Sequence, residues 1–222
     1  MLFKYRTIMP RNNIPTELTT LIEEHIIPRY ERFDKAHDRT HAFTVMSQSL
    51  LLAQHYNVNT AMVYTIAAYH DLGLEKGREH HHTESAHIVR SDERLREFFT
   101  PQEIEIIAEA VEDHRASSSN EPRSIYGKIV AEADRIIDSD TIMRRTIQYG
   151  LTHYPALGKE EHLERARQHL NEKYSKNGYL RLWIPQSDNA QRLQKFQKLM
   201  QESELLNKIL SRIFDEESAS YT

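Results

Sequence analysis

The chain has 222 residues, a length that implies one domain, or one domain with an appendage, and that can enclose a core without staples. Hydrophobic residues make up 39% and charged residues 28%, the balance of a soluble globular protein, and a formal net charge of −4 supplies no overall field toward nucleic acid or anionic membrane. There is no cysteine, which excludes disulfides, thiolate metal sites and cysteine nucleophiles together. The segment MLFKYRTIMPRNN has no apolar run suited to a secretory signal, and no stretch approaches membrane-spanning length, so the expected location is cytoplasmic.

Apolar residues recur at helical spacing along most of the chain. Leu18, Leu21, Ile22 and Ile26 predict a first helix that breaks near Pro28, and Val45, Met46, Leu50 and Ala53 predict a second that ends near Asn57. Asn59 or Thr60 caps a third, AMVYTIAAYH, apolar nearly all round and therefore buried. A fourth helix is expected over Thr83 to Phe98. Thr100-Pro101-Gln102-Glu103 is a capping box with proline at the first helical position, which starts a fifth through IEIIAEAVEDH. RASSSNEPRS reads as a loop, and Ser124 to Asp138 as a sixth helix with Ile125, Ile129, Val130, Ala133, Ile136 and Ile137 inward. Further helices are expected over 160–175 and 187–214, with YLRLWIP as a short strand or extended arm. The expected fold is all-α with one core: a helical metal-binding domain over 1–150, and a helical extension over 151–222 packed on it.

Histidine and aspartate collect at the ends of these helices. His41 opens the second, His70 and Asp71 close the third, His82 precedes the fourth, His114 closes the fifth and Asp134 lies in the sixth. Consecutive helical residues point about 100° apart, so His70 and Asp71 converge on one ion only at a helix end or kink, which Gly73 would permit. A buried helix carrying an imidazole beside a carboxylate needs a compensating charge, and a divalent cation supplies it. Imidazole with carboxylate suits zinc, iron, manganese and similar ions.

The ordered set His41, His70-Asp71, Asp134 resembles the H…HD…D pattern of the HD-domain superfamily of metal-dependent phosphohydrolases. HDRTHAFTV is similar to its first-histidine motif, AAYHDLG to its paired motif and AEADRI to its last-aspartate motif. Over about residues 20–140 the resemblance implies a helical HD fold with one or two divalent ions (manganese, iron, magnesium or zinc) that hydrolyses phosphate esters or anhydrides, often of nucleotides. In members with two metals, two further histidines lie between HD and D, where His82 and His114 fall here. The implied roles make Asp71 a bridge, with His41, His70 and Asp134 on one ion and His82 and His114 on the other. Glu75 is the nearest candidate general base.

Blander readings exist for each position. His37 and His41 stand four apart, as in H-E-x-x-H zinc sites, but with aspartate for the glutamate; capping or support of His41 is the better role for His37 and Asp38. His81 is the substitute for His82, while His80 and His87 are expected to face solvent or to lie near the pocket mouth. Arg115, Arg123 and Lys128 are the substrate-phosphate candidates, with the serines at 117–119, Arg115 foremost because it adjoins a ligand; these residues, and Arg144 and Arg145 likewise, read equally well as ordinary surface charges. In the tail, His162, Arg165, His169 and Lys173 read as a solvated or partner-facing stripe, and Tyr179 to Trp183 as packing residues. The function expected is hydrolysis of a small phosphorylated molecule, foremost a nucleotide, with no membrane or nucleic-acid polymer as partner and homo-oligomerisation left open. The alternatives are a di-iron oxygenase on the same core and a non-catalytic metal or nucleotide-binding module.

Overall fold

The computed structural model describes residues 13–34, 37–115 and 120–219. Among them every regular element is helical, as expected, and no helix is long and apolar enough to cross a membrane. The serines at 117–119 lie outside the described residues. The helices are α1 (Thr16–Leu21), α2 (Arg39–Ala53), α3 (Thr60–Tyr69), α4 (His81–Ser91), α5 (Pro101–Glu112), α6 (Ile125–Asp134), α7 (Ser139–His153), α8 (Lys159–Tyr174), α9 (Asn189–Gln201) and α10 (Ser203–Ser218).

Local chemistry sets most of the boundaries. Asp38 accepts from the backbone N–H of Thr40 and His41 to start α2, Asn59 accepts from Ala61 to start α3, and Ser124 from Gly127 to start α6. Thr100 and Glu103 close the expected capping box of α5. Two expected helices are shorter than their apolar pattern. The fourth stops at Ser91 because Asp92 turns to cap a 3-10 turn, Glu93–Glu97, through the N–H of Arg94. The sixth stops at Asp134 because Asp138 caps α7 through Thr141. Pro28 does not end the first helical segment. The chain passes from α1 through a π turn, Ile22–Ile26, into a 3-10 helix, Ile27–Arg32, where the missing proline N–H falls in the first turn and costs no bond.

The apolar residues form two cores rather than the one expected. The first compact unit runs to Arg135 and takes in Trp183–Ser187; the second comprises Ile136–Leu182 and the described residues from Asp188. The division therefore falls at Arg135, not at residue 150, because Ile137, Ile142, Met143 and Ile147 join Leu163, Leu170, Leu206 and Leu210 in a core of their own. In the first unit α3 is buried on every side, as its all-apolar composition requires, and packs against α2, α5 and α6. In the second unit α7, α8 and α10 pack on one another and α9 packs on α10. His162 is buried there against Phe214 at 5.5 Å between ring centroids, so the expected stripe of His162, Arg165, His169 and Lys173 is not a solvated face throughout.

YLRLWIP forms no strand. Its end is pinned by Glu132, a fully buried carboxylate on α6 that accepts from the N–H of Trp183 at 2.7 Å and of Ile184 at 3.3 Å, and from the Ser187 hydroxyl at 2.6 Å. Leu180 and Ile184 are buried, whereas Tyr179 is exposed. Replacing Glu132 strands two amides and a hydroxyl in the interior. Glu132→Ala is expected to cost about 2–3 kcal/mol, read as a lower midpoint in urea unfolding, and Glu132→Gln less than half of that.

Candidate metal centre

The end of α3 presents the doublet to one place. His70 caps the C-terminal end of α3 with helical dihedrals, and Asp71 leaves the helix at φ −106°, ψ 4°, which turns the two side chains toward each other. Tyr30 steadies the break: its buried hydroxyl donates to the carbonyl of Ala68 at 3.0 Å and accepts from the N–H of Asp71 at 3.4 Å. Gly73 is needed for close approach rather than for turn conformation. A Cβ there would collide with the carbonyl oxygen of His81 and the backbone of Ser85, and the Gly73 N–H donates to the Ser85 hydroxyl at 2.8 Å. This contact draws the first turn of α4 over the doublet.

Two donor groups meet at Asp71. Its Oδ2 lies 3.2 Å from Nε2 of His70 and 3.4 Å from Nε2 of His41, which are 3.2 Å apart. Its Oδ1 lies 3.4 Å from Nε2 of His114 and 3.7 Å from Nε2 of His81, themselves 3.2 Å apart. Asp134 Oδ1 joins the first group, at 3.3 Å from His41 and 3.9 Å from His70. His41, His70, Asp71 and His114 are buried, while the Asp134 side chain is 21% exposed and keeps a path to water.

Three imidazoles are held in one tautomer. Nδ1 donates to the carbonyl three residues earlier in His70 (Ala67, 2.8 Å), His81 (Arg78, 2.8 Å) and His114 (Val111, 2.5 Å). The neutral ring then turns a bare Nε2 lone pair inward, as a metal ligand requires. Lone pairs of His81 and His114 facing each other at 3.2 Å, both beside a carboxylate oxygen, need a positive charge among them. A tetrahedral ion with ligand bonds of about 2.0–2.1 Å spaces its donors at roughly 3.3–3.4 Å. Six of the eight donor separations, at 3.2–3.4 Å, lie near that spacing, while those of His81 from Asp71 and of His70 from Asp134 are longer, at 3.7 and 3.9 Å. The buried clusters could hold a metal ion.

In the protein alone, protons perform the same compensation. Burial opposes the charged form of Asp71, yet His70, His114 and His41 hold its carboxyl well below the usual carboxylate range. Burial likewise disfavours the His41 imidazolium, but Asp134 and Asp71 outweigh it and push its pKa up to about 10. His114 is raised against burial by Asp71, whereas burial and the adjacent His114 push His81 down to about 4. A cation taking such a site displaces these protons.

His82 differs from its expected place. His81, not His82, turns into the cluster, because the two are consecutive in the first turn of α4 and their side chains diverge; His82 faces Arg115 instead, with Nδ1 3.4 Å from its Nη1. Glu75 is also not at the cluster. Both its oxygens bind Arg29, at 2.8 and 2.7 Å, and the guanidinium holds its carboxyl below the usual range, which makes it a poor base. Of the phosphate candidates, Arg123 is bound by Asp113 and Glu112, and Lys128 pairs with Glu121, so neither is available to an anion without breaking an ion pair. Arg144 pairs with Glu216 and Glu217 in the second unit. His37 bonds to Asp34 and stands edge-on to His41 at 5.7 Å, a supporting position. His80 and His87 are exposed, as expected.

Residues 39–137 match the model of the HD domain, a family of metal-dependent hydrolases. No curated protein and no solved structure matches the chain. The geometry separates the two neighbouring histidines by experiment: His81→Ala is expected to lower the metal bound per chain, while His82→Ala retains the wild-type content, measured by elemental analysis after gel filtration.

Proposed function

We propose, from the match of residues 39–137 to the HD-domain model, that the protein is a metal-dependent phosphohydrolase acting on a phosphate ester or anhydride of a small molecule, foremost a nucleotide. One observation carries this reading: the two oxygens of a single buried carboxylate, Asp71, each face a separate pair of imidazole nitrogens. In this proposal His41, His70, Asp71 and Asp134 hold one divalent cation, and Asp71, His81 and His114 hold a second. Bound there, such cations lower the pKa of coordinated water toward neutrality and polarise a phosphoryl oxygen.

The chain's own residues prepare the site for that chemistry. The three backbone-anchored imidazoles cannot rotate away without breaking their Nδ1–H bonds, so the donors are preorganised. Asp71 fixes the separation of the two groups. In this proposal water and substrate reach them past Asp134, whose side chain is partly exposed. The donors combine imidazole with carboxylate and no thiolate, which favours manganese, iron or zinc over magnesium.

The test is metal removal and reloading, followed by assay on a panel of phosphate esters and anhydrides. Hydrolysis is expected only with metal, and His70→Ala or Asp71→Ala should lower it by more than roughly a hundredfold, beyond the cost of losing an outer hydrogen-bond partner. Glu75→Gln is expected to change turnover only a few-fold, since its carboxylate is committed to Arg29. A fully metal-loaded protein inactive across the panel refutes the proposal.

A further inference from the structure

The imidazoles around Asp71 are not all held alike. Nδ1 of His70 and of His114 is anchored on the carbonyls of Ala67 and Val111, which lie inside α3 and α5. His81 is anchored instead on the carbonyl of Arg78, outside any helix and within a stretch that is exposed from Glu75 to His80. The His81 side chain is itself 16% exposed, against 5% or less for His41, His70 and His114.

The chain reaches Arg78 through Gly77, whose φ of 107° and ψ of 167° suit glycine alone. From there the Arg78 guanidinium closes a triangle with two residues ahead of α2. Nη1 donates to Asp34 Oδ2 and Nη2 to His37 Nε2, each at 3.2 Å, and His37 Nδ1 donates to Asp34 Oδ1 at 2.8 Å. With Nε2 accepting, the His37 proton sits on Nδ1, so every contact has one donor and one acceptor. The same stretch serves the other donor group. His37 stands edge-on to His41, and Asp38 accepts from the His41 N–H. Arg78 is therefore joined by its side chain to the segment beside His41 and by its backbone to His81.

We propose that Arg78 is a positioning residue for the second cation. By holding Asp34 and His37 it fixes the carbonyl that orients His81, and so keeps Nε2 of His81 turned toward Asp71 and His114. This deepens the two-ion reading of the site and rests on it. An exposed ion pair contributes little to stability, and the Arg78 and Asp34 side chains are 64% and 54% exposed. The latch acts on the direction of one imidazole, not on the fold.

The experiment compares the full chain with Arg78→Ala and with the conservative Arg78→Lys. Long-range proton–nitrogen NMR spectra of metal-free, histidine-labelled protein are expected to show His81 as one tautomer, protonated at Nδ1, in the wild type and as a mixture in Arg78→Ala. On titration with manganese, Arg78→Ala is expected to bind one of two ions at least roughly tenfold more weakly and the other within about twofold of wild type, the scale of losing a ligand's outer support. Arg78→Lys keeps a cationic donor toward Asp34 and is expected to recover part of the loss. The urea midpoint of both variants should stay near that of the wild type. An unchanged tautomer in Arg78→Ala, or two ions weakened equally or not at all, overturns the proposal. A wild type that binds one ion, with its His81 tautomer still dependent on Arg78, supports the orienting role and counts against the second ion of the proposed function. Neither measurement depends on turnover.

Discussion

A carboxylate buried beside four imidazole nitrogens organises this protein. Removing an ionised carboxylate from water costs several kcal/mol unless its oxygens are matched, and Asp71 has each oxygen matched by a pair of histidines. His70 ends α3 itself, and the other three histidines come from stretches of chain that pack around α3 or close over its end. The arrangement is therefore only as good as the placement of α2, the start of α4 and the end of α5 around the doublet. Tyr30 and Gly73 serve that placement, one by holding the broken end of α3 and the other by admitting the first turn of α4.

Each helix that carries a donor has its own means of holding it in register. Asp38 caps α2 through the N–H of His41 itself, so the cap and the candidate ligand share one residue. Ser85 ties α4 to Gly73. On α6, Glu132 anchors Trp183–Ser187 two residues before Asp134, which recruits a distant part of the chain to the helix that supplies the aspartate. These contacts are polar, and those of Ser85 and Glu132 lie wholly or largely in the interior. They carry a large penalty when half broken, which restricts the elements to one arrangement.

Much of this was legible in the sequence, and the exceptions have physical causes. The all-apolar AMVYTIAAYH had to be buried, the Thr100–Glu103 box had to start a helix, and His41, His70, Asp71, His114 and Asp134 converge as their positions at helix ends suggested. Choosing between His81 and His82 was a question of about 100° of helical phase, and the phase follows from the approach at Gly73, a contact with no local signature. Glu75 stood at a suitable distance along the chain, but Arg29, 46 residues earlier, claims both its oxygens. The second core was hidden because Ile137 continues the apolar pattern of α6 although Asp138 begins a new helix. Glu132 drew no notice as one more acidic residue among 33 in the chain; a charge inside an otherwise apolar stretch, GKIVAEAD, was its available signal.

The central claim is that Asp71 joins two cation sites into one centre. Titration of metal-free protein with manganese, followed by low-temperature electron paramagnetic resonance, addresses it most directly. The account predicts two manganese ions per chain with a spin-coupled spectrum that Asp71→Ala abolishes. A single ion at saturation, or two ions with independent six-line signals, would contradict it.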